Sequence, residues 1–215
     1  MQQAQDIESV FDASHDRKYP KGQILFYQGE KTEKVFRIRS GYVKVYDVTA
    51  DGEEKLLLIL SKDDIFPLIW TFTKSERLHY FYEAVDDAEI SVIQRSDLVD
   101  AVKSSHTVSL HLLEYFINKS SDLMMRIECI EAGSAKHKVA QVLSYLASAH
   151  GDEVAQHAFK VRIPTTHQMI ANMSGLNRST VSIQMKKLEK AKIFKDTASG
   201  GFIIHTDRIE TMLEG

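Results

Sequence analysis

The feature that most constrains the fold is a pair of amphipathic segments near the C-terminus, within residues 165–190. Residues 165–173 predict a short helix, and its inward-facing residues are expected to be Met169, Ile170 and Met173. Residues 174–176 contain a glycine and predict a turn. The second helix is expected to begin at Asn177, a favourable N-cap, and to place on one face Val181, Met185 and Leu188. Two helices joined by a short glycine-containing turn are typical of a helix-turn-helix motif.

The opposite face of the second helix is polar and has no carboxylate in its first two turns. It is expected to contain Arg178, Ser179, Ser182 and Lys186. Such a face at a helix N-terminus favours an anionic partner, and the second helix of this motif enters the major groove of DNA. The same pattern also fits a two-helix corner whose basic face is only solvated or packs against protein.

The charges of the chain are distributed unevenly. The 215 residues have a formal net charge of −3, yet residues 134–215 carry 11 Lys and Arg against 7 Asp and Glu, hence +4. Residues 1–133 carry 16 against 23, hence −7. This asymmetry favours a basic module that faces nucleic acid, joined to an acidic domain.

The single cysteine, Cys129, excludes a disulfide within the chain and an iron–sulfur site made by cysteines alone. No apolar run is long enough for a membrane span, and the N-terminus lacks the basic and apolar regions of a signal peptide. We therefore expect a cytoplasmic protein that makes no membrane contact. We also expect no bound metal and no cofactor.

Residues 18–93 have the pattern of short strands separated by turns. Apolar and polar residues alternate in residues 42–48, and Asp51 followed by Gly52 predicts a hairpin turn. Turn signals that recur at intervals of about 8–12 residues favour a β-barrel or a β-sandwich. Further strands are expected at residues 80–85 and 88–94, and a short helix capped by Ser96 and Asp97 is expected to follow.

The hydrophobic period changes at His106, where a helix of more than 20 residues is predicted. One apolar stripe, the candidate dimer interface, consists of Leu110, Leu113, Ile117, Met124 and Ile127. A second stripe consists of Leu112, Phe116, Leu123 and Ile130. Two stripes require two partners, so one is expected to lie on the β-rich domain and the other to pair with a second copy of the chain. A long helix buried within one chain is the alternative.

Gly133 and Ser134 break this helix, and the remaining chain predicts a winged helix-turn-helix. A helix is expected at residues 135–150, and a β-hairpin is expected at residues 193–205, with its turn at 198–201. The predicted fold class is α+β. The predicted domains are a β-barrel domain at residues 1–104, a dimerisation helix and hinge at 105–133, and a DNA-binding domain at 134–215.

In this order the elements resemble the CRP/FNR superfamily of bacterial transcription regulators, over nearly the whole chain. The motifs that carry the resemblance lie at residues 27–30, 40–45, 174–181 and 203–207. The resemblance implies a jelly-roll domain of the cyclic-nucleotide-binding type, a long dimerisation helix and a winged helix-turn-helix. It also implies a homodimer that binds double-stranded DNA and works with RNA polymerase.

In family members that bind cyclic AMP, the phosphate-binding cassette contains a Gly-Glu pair and an Arg-Ser pair. The Gly-Glu positions correspond here to Pro67 and Leu68. Proline has no N–H and leucine no acceptor, so this cassette is not expected to hold a cyclic nucleotide. Haem binding is left as an alternative, because the positions of His79 and His111 would allow these residues to act as iron ligands. Arg77 is expected to be a solvated loop residue, although an anion contact is conceivable.

Apolar and aromatic residues occupy the cassette region instead. The candidate effector pocket consists of Phe66, Trp70, Phe72, Tyr80, Tyr82, Leu123 and Met124. Two interpretations stay open: a pocket for a hydrophobic or aromatic small-molecule effector, or a domain filled by its own side chains without any effector.

On the DNA side, Arg178 matches the guanine-reading arginine of the family, and the matching phosphate-positioning residues are Thr166, His167, Asn177 and Thr180. Ser179 replaces a glutamate that accepts from cytosine N4, and Ile183 replaces a polar reader. Ile183 is expected to offer only apolar contact, for instance to a thymine methyl group. The target sequence should therefore differ from the best-known site of the family.

These observations predict a DNA-binding transcription regulator without catalytic activity. The alternatives are a regulator gated by cyclic nucleotides, an interaction module whose helix corner packs on protein, and an enzyme. The enzyme is disfavoured because no nucleophile–base motif, metal-ligand spacing or phosphate-binding loop is present.

Overall fold

The computed structural model describes residues 6–12, 14–73, 77–197 and 201–214. It has two compact units: the N-terminal unit contains Met1–Val48 and Leu57–Ser120, and the C-terminal unit contains Thr49–Leu56 and Ser121–Gly215. The domain limits drawn at residues 104 and 133 stay predictions.

The helices are α1 (Ile7–Val10), α2 (Leu68–Phe72), α3 (Arg95–Ser104), α4 (His106–Glu131), α5 (Ala135–His150), α6 (His167–Ser174), α7 (Arg178–Lys190) and α8 (Thr206–Glu214). The strands are β1 (His15–Tyr19), β2 (Ile24–Phe26), β3 (Lys34–Ser40), β4 (Val43–Val48), β5 (Glu54–Leu60), β6 (Ile65–Phe66), β7 (Phe81–Ala84), β8 (Ala88–Gln94), β9 (Gly151–Ala155), β10 (Ala158–Val161), β11 (Phe194–Asp196) and β12 (Phe202–His205).

Two four-stranded sheets build the β-rich region, with the strand orders β1-β8-β3-β6 and β2-β7-β4-β5. The pairing is antiparallel, as short strands joined by turns predict. Gly41 separates β3 from β4 at a φ of 82°, and a Cβ there would lie 2.6 Å from the Asp87 carbonyl oxygen. Only glycine fits this turn. Closure of the two sheets into a barrel stays a prediction.

The start of α3 differs from the prediction. Ser96 and Asp97 were expected to cap this helix, but the N-cap is Gln94 and the helix begins at Arg95. The Asp97 carboxylate accepts a hydrogen bond from the Gln94 backbone N–H at 3.3 Å. Asp97 therefore occupies the third helical position of a capping box, which explains why the acidic residue follows the start rather than marking it.

Helix α4 carries several large apolar side chains that are exposed among the described residues. The exposed large hydrophobic residues of this helix are Leu110, Leu113, Ile117, Leu123, Met124, Ile127 and Ile130. The second sequence stripe is thus divided: Leu112 is buried, whereas Leu123 and Ile130 are exposed beside the candidate dimer residues. Leu112 precedes Leu113 as Leu123 precedes Met124, so the helical period alone does not predict this division.

The N-terminal part of α4 is attached to the turn before β6. The Lys119 ammonium lies 2.8 Å from the Asp64 carboxylate, which is buried. The Tyr115 hydroxyl donates to the Ile65 carbonyl oxygen at 3.2 Å. Burial and the neighbouring Asp64 carboxylate raise the pKa of Tyr115, so the hydroxyl stays a donor at neutral pH.

The C-terminal unit contains α5 to α8 and a four-stranded antiparallel sheet of order β11-β12-β10-β9. Its core includes the fully buried residues Val139, Leu143, Leu146, Ile170, Val181 and Leu188. The predicted hairpin after α7, the second helix of the motif (the recognition helix), is present as β11 and β12, with Phe194 opposite Ile204. Three residues of its predicted turn, 198–200, lie outside the described residues. None of the described helices is long and apolar enough to cross a membrane.

Candidate nucleic-acid interface

Helix α6 is the first helix of the predicted motif, and it begins at a capping threonine. The Thr166 hydroxyl oxygen accepts a hydrogen bond from the Met169 backbone N–H at 3.1 Å. Ile170 and Met173 are buried, as the sequence predicts, whereas Met169 is half-buried. The helix is therefore fixed on the core by its later residues, and its N-terminal end faces outward.

The turn between the two helices depends on Gly175. This residue has a φ of 66°, in the left-handed region, and its N–H donates to the Ala171 carbonyl oxygen. Space is not the reason for glycine, because a Cβ would meet nothing within 4 Å. The requirement comes from the backbone conformation alone, which L side chains rarely adopt.

Helix α7 begins with the cap predicted from the sequence. The Asn177 side-chain oxygen accepts a hydrogen bond from the Thr180 backbone N–H at 2.8 Å. Val181, Met185 and Leu188 are at most 2% exposed, so the predicted inner face is buried. The inner face of α7 packs on the core of the C-terminal unit, and its outward side chains are available to a partner.

The outward face of α7 is basic, polar and partly apolar. Arg178, Ser179 and Lys186 are exposed, and Ile183 is 55% exposed. Two further lysines that the sequence interpretation omitted, Lys187 and Lys190, are exposed on the same helix. Spacing could have identified Lys190, because it lies seven residues after Ile183 and thus on the same face.

The remaining candidate residues lie close to the two helix N-termini. Thr166 caps α6, and His167 is its first residue and half-buried. Thr180 and Ser182 are half-buried in the first turns of α7. The structure thus places all nine candidates on the two helices of one motif. The free N–H groups at helix N-termini make both ends favourable for phosphate oxygens.

Sequence reasoning missed a buried arginine that supports this motif. The Arg126 guanidinium, 5% exposed, donates to the carbonyl oxygens of Met173 and Leu56, each at 2.9 Å. It also lies over the Tyr145 ring, 5.7 Å from the centroid. Burial lowers the pKa of Arg126, and the neighbouring Cys129 and Tyr145 act in the opposite direction. A cation at the C-terminal end of α6 also complements the helix dipole.

The cassette region of the N-terminal unit has an apolar construction. Pro67 precedes α2 and offers no N–H, and its side chain makes no capping hydrogen bond. Leu68 and Trp70 are buried in the first turn of α2. The Arg77 guanidinium donates to the Gly29 carbonyl oxygen at 2.9 Å, so this group is attached to the neighbouring turn.

Aromatic rings from different strands pack together beside this cassette. The Phe66 and Tyr82 rings are stacked at a centroid distance of 5.4 Å, and Phe66 also stacks on Phe36 at 5.5 Å. Trp70 meets Tyr80 edge to face at 6.0 Å. Burial raises the pKa of Tyr82 far above its usual value.

The candidate pocket residues are therefore not equivalent. Phe66, Trp70 and Tyr82 are buried, Tyr80 is half-buried, and three are exposed: Phe72, Leu123 and Met124. The effector pocket stays a prediction. His79 lies near the Trp70 ring at 5.7 Å, and His111 is exposed on α4. Across residues 6–12, 14–73, 77–197 and 201–214, no group of three His, Cys, Asp or Glu side chains is arranged to hold a metal ion.

Comparison with protein families gives a match in each half of the chain. Residues 16–105 match the family model of the cyclic nucleotide-binding domain. Residues 137–209 match that of the Crp-like helix-turn-helix domain. The second match contains α6, the Gly175 turn, α7 and the hairpin of β11 and β12.

The chain is similar to known transcription regulators over most of their length. The chain is 24% identical to the anaerobic regulatory protein of Bacillus subtilis (strain 168) over 199 residues, which covers 93% of this chain and 82% of the relative. It is 26% identical over 183 residues to the cAMP-activated global transcriptional regulator CRP of Pasteurella multocida, covering 85% and 87%.

Solved structures share the fold at low identity. The structure of FixK2 from Bradyrhizobium japonicum superimposes with a TM-score of 0.77 at 18% identity, covering 93% of this chain and 96% of that one. A mutant of CooA from Carboxydothermus hydrogenoformans gives a TM-score of 0.75 at 22% identity, with coverages of 95% and 89%.

Proposed function

The chain belongs to the CRP/FNR superfamily of transcription regulators, and we propose that this member reads a palindromic DNA site as a homodimer. The function as a DNA-binding transcription regulator follows from the family. The observation that carries the finer proposal is the exposed face of α7, which presents Arg178, Ser179, Ile183 and Lys186. The opposite face of the helix is buried. Two such helices related by a two-fold axis read half-sites about 34–36 Å apart.

The dimer forms through the exposed apolar stripe of α4. Leu110, Leu113, Ile117, Met124 and Ile127 follow the three-and-four spacing of a heptad seam, and all are exposed in one chain. A stripe of this length exposed to water favours a helical partner, and a second copy supplies an identical stripe.

The N-terminal unit acts as a jelly-roll sensor domain whose cassette no longer binds cyclic nucleotides. Pro67 and Leu68 support this proposal, because proline has no N–H to donate to a phosphate and the leucine side chain has no acceptor for a ribose hydroxyl. Relatives are named as cAMP-activated, so a nucleotide-gated member of the family is the alternative. The effector is hydrophobic or absent, the protein has no catalytic activity, and its further partner is RNA polymerase in the cytoplasm.

Selection of binding sites from random duplex DNA, without any cyclic nucleotide, tests this function. We expect enrichment of a two-fold symmetric site with half-sites one helical turn apart. Enrichment only after cyclic AMP or cyclic GMP is added would favour the nucleotide-gated alternative. A complete lack of enrichment under both conditions would contradict sequence-specific DNA binding and favour the protein-interaction module.

A further inference from the structure

The hydroxyl group of Ser179 has a fixed direction at the start of α7. The Thr180 backbone N–H can only donate, and it points at Asn177 Oδ1 over 2.8 Å. The atom at that place must therefore be the amide oxygen and not the amide nitrogen. Ser179 Oγ lies 2.7 Å from the same oxygen. An amide oxygen has no hydrogen, so Ser179 is the donor of this second bond.

This bond determines what Ser179 can offer to a partner. A hydroxyl group has one hydrogen and two acceptor lone pairs. With the hydrogen directed at Asn177, only the lone pairs remain for an outside group. Ser179 is exposed, and it follows Arg178 at the N-terminal end of the recognition helix. In this type of motif, that end of the helix contacts base edges. It therefore presents an acceptor to the major groove.

The base edges in the major groove present both donors and acceptors, and only the donors can bind to an acceptor. Adenine N6 and cytosine N4 are amino donors, whereas guanine O6 and N7 and thymine O4 are acceptors. We propose that Ser179 is a specificity-determining residue that selects an adenine or a cytosine amino group, and that Asn177 sets this choice by orienting its hydroxyl. The inference rests on the proposed function, since it assigns a base class to one position of the DNA site.

Ser179 does more than supply a hydroxyl acceptor in place of the glutamate carboxylate of the family. A carboxylate at this position would accept in any orientation, whereas a serine accepts exclusively only while its hydrogen is bound elsewhere. Asn177 therefore has two tasks: it caps α7 through Thr180, and it removes the donor capacity of Ser179. Loss of Asn177 should release the hydroxyl, which can then rotate and donate to guanine or thymine acceptors.

Equilibrium binding to the selected site, and to the set of its single base-pair variants, tests the proposal with four proteins. In the wild type we expect one position per half-site, beside the pair read by Arg178, where adenine or cytosine binds about fivefold to tenfold better than guanine or thymine. Ser179→Ala should abolish the preference at this position and leave the preferences at other positions unchanged.

The two Asn177 variants separate the cap from the orientation of the hydroxyl. Asn177→Asp keeps an acceptor for both Thr180 and Ser179, so the base preference should persist even though the added charge weakens binding to every sequence. Asn177→Ala removes the acceptor, so the adenine and cytosine preference should fall to about twofold or less, while the loss of the cap lowers affinity uniformly.

The outcomes distinguish this inference from the proposed function. If the wild type selects a site and Ser179→Ala leaves every base preference unchanged, the role of Ser179 is wrong and the DNA-binding proposal stands. A preference for guanine or thymine at this position, or an unaltered preference in Asn177→Ala, also overturns it. If the wild type binds no DNA sequence selectively, both proposals fail.

Discussion

At the scale of single residues, Arg126 connects three parts of the C-terminal unit. It lies in α4, and its guanidinium donates hydrogen bonds to carbonyl oxygens in the last turn of α6, at Met173, and in β5, at Leu56. A buried guanidinium is costly unless its N–H groups are satisfied, and here carbonyl oxygens satisfy them. Arg126 thus holds α6, the helix that precedes α7.

Replacement of Arg126 by methionine should destabilise the protein. The variant keeps most of the apolar stem but removes both hydrogen bonds to carbonyl oxygens that lie in a buried environment. We expect the free energy of unfolding to fall by about 1–3 kcal/mol. Urea denaturation followed by circular dichroism measures this change, and amide hydrogen exchange should show faster exchange in α6.

Arg162 offers a matched control, because it is 64% exposed and pairs with Asp152 on the surface at 3.1 Å. Arg162→Met should change the free energy of unfolding by no more than about 0.5 kcal/mol. Equal effects of the two substitutions would show that Arg126 contributes no more than a surface arginine.

These residues also show what a sequence can predict at this scale. Asn177 and Gly175 were predictable, because a cap and a left-handed turn each require a residue type at a fixed place beside a helical period. Arg126 was not, because its partners are backbone carbonyl groups 47 and 70 residues away. Backbone acceptors leave no trace in side-chain chemistry, so periodicity suggested only a charged residue in a long helix.

At the scale of elements, α4 carries the proposed dimer seam. Ile117 is 57% exposed and lies at the centre of the apolar stripe. Ile117→Asp would place two carboxylates against each other in the seam, and it would remove the burial of two isoleucine side chains. We expect the dimer dissociation constant to rise by about 100-fold or more, as measured by sedimentation velocity over a concentration series.

The neighbouring residue supplies the control for this substitution. Asn118 is exposed but lies outside the stripe, so Asn118→Asp adds the same charge without placing it in the seam. It should leave the dissociation constant within about twofold of the wild type. If Ile117→Asp remains as dimeric as Asn118→Asp, the α4 seam is wrong and the stripe has another occupant.

Element types were easier to predict than their exact roles. The strand predicted at residues 88–94 is β8, with the limits that the sequence indicated. In α4, the period identified the helix but divided Leu123 and Ile130 from the exposed stripe. Which apolar face meets which neighbour depends on the packing of distant strands, and a helical period does not contain that information.

At the scale of the whole molecule, the sequence predicts which part of the chain binds DNA, but it does not predict the ligand of the other part. The excess of basic residues after residue 134 coincides with the Crp-like helix-turn-helix match at 137–209. In contrast, residues 16–105 match a cyclic nucleotide-binding domain although Pro67 stands at the cassette. A fold survives changes in its binding residues, so family membership assigns DNA binding here but not the effector.

Position-resolved DNA binding by Arg178→Ala tests whether α7 reads base edges through Arg178. Lys186→Ala serves as the comparison, because a phosphate contact should weaken binding to all sequences equally and reduce the salt dependence. For Arg178→Ala we expect a loss of about 1–3 kcal/mol in binding free energy, concentrated at one guanine-containing base pair in each half-site, where discrimination disappears. An equal loss at every base pair, with all preferences retained, would contradict base reading by Arg178.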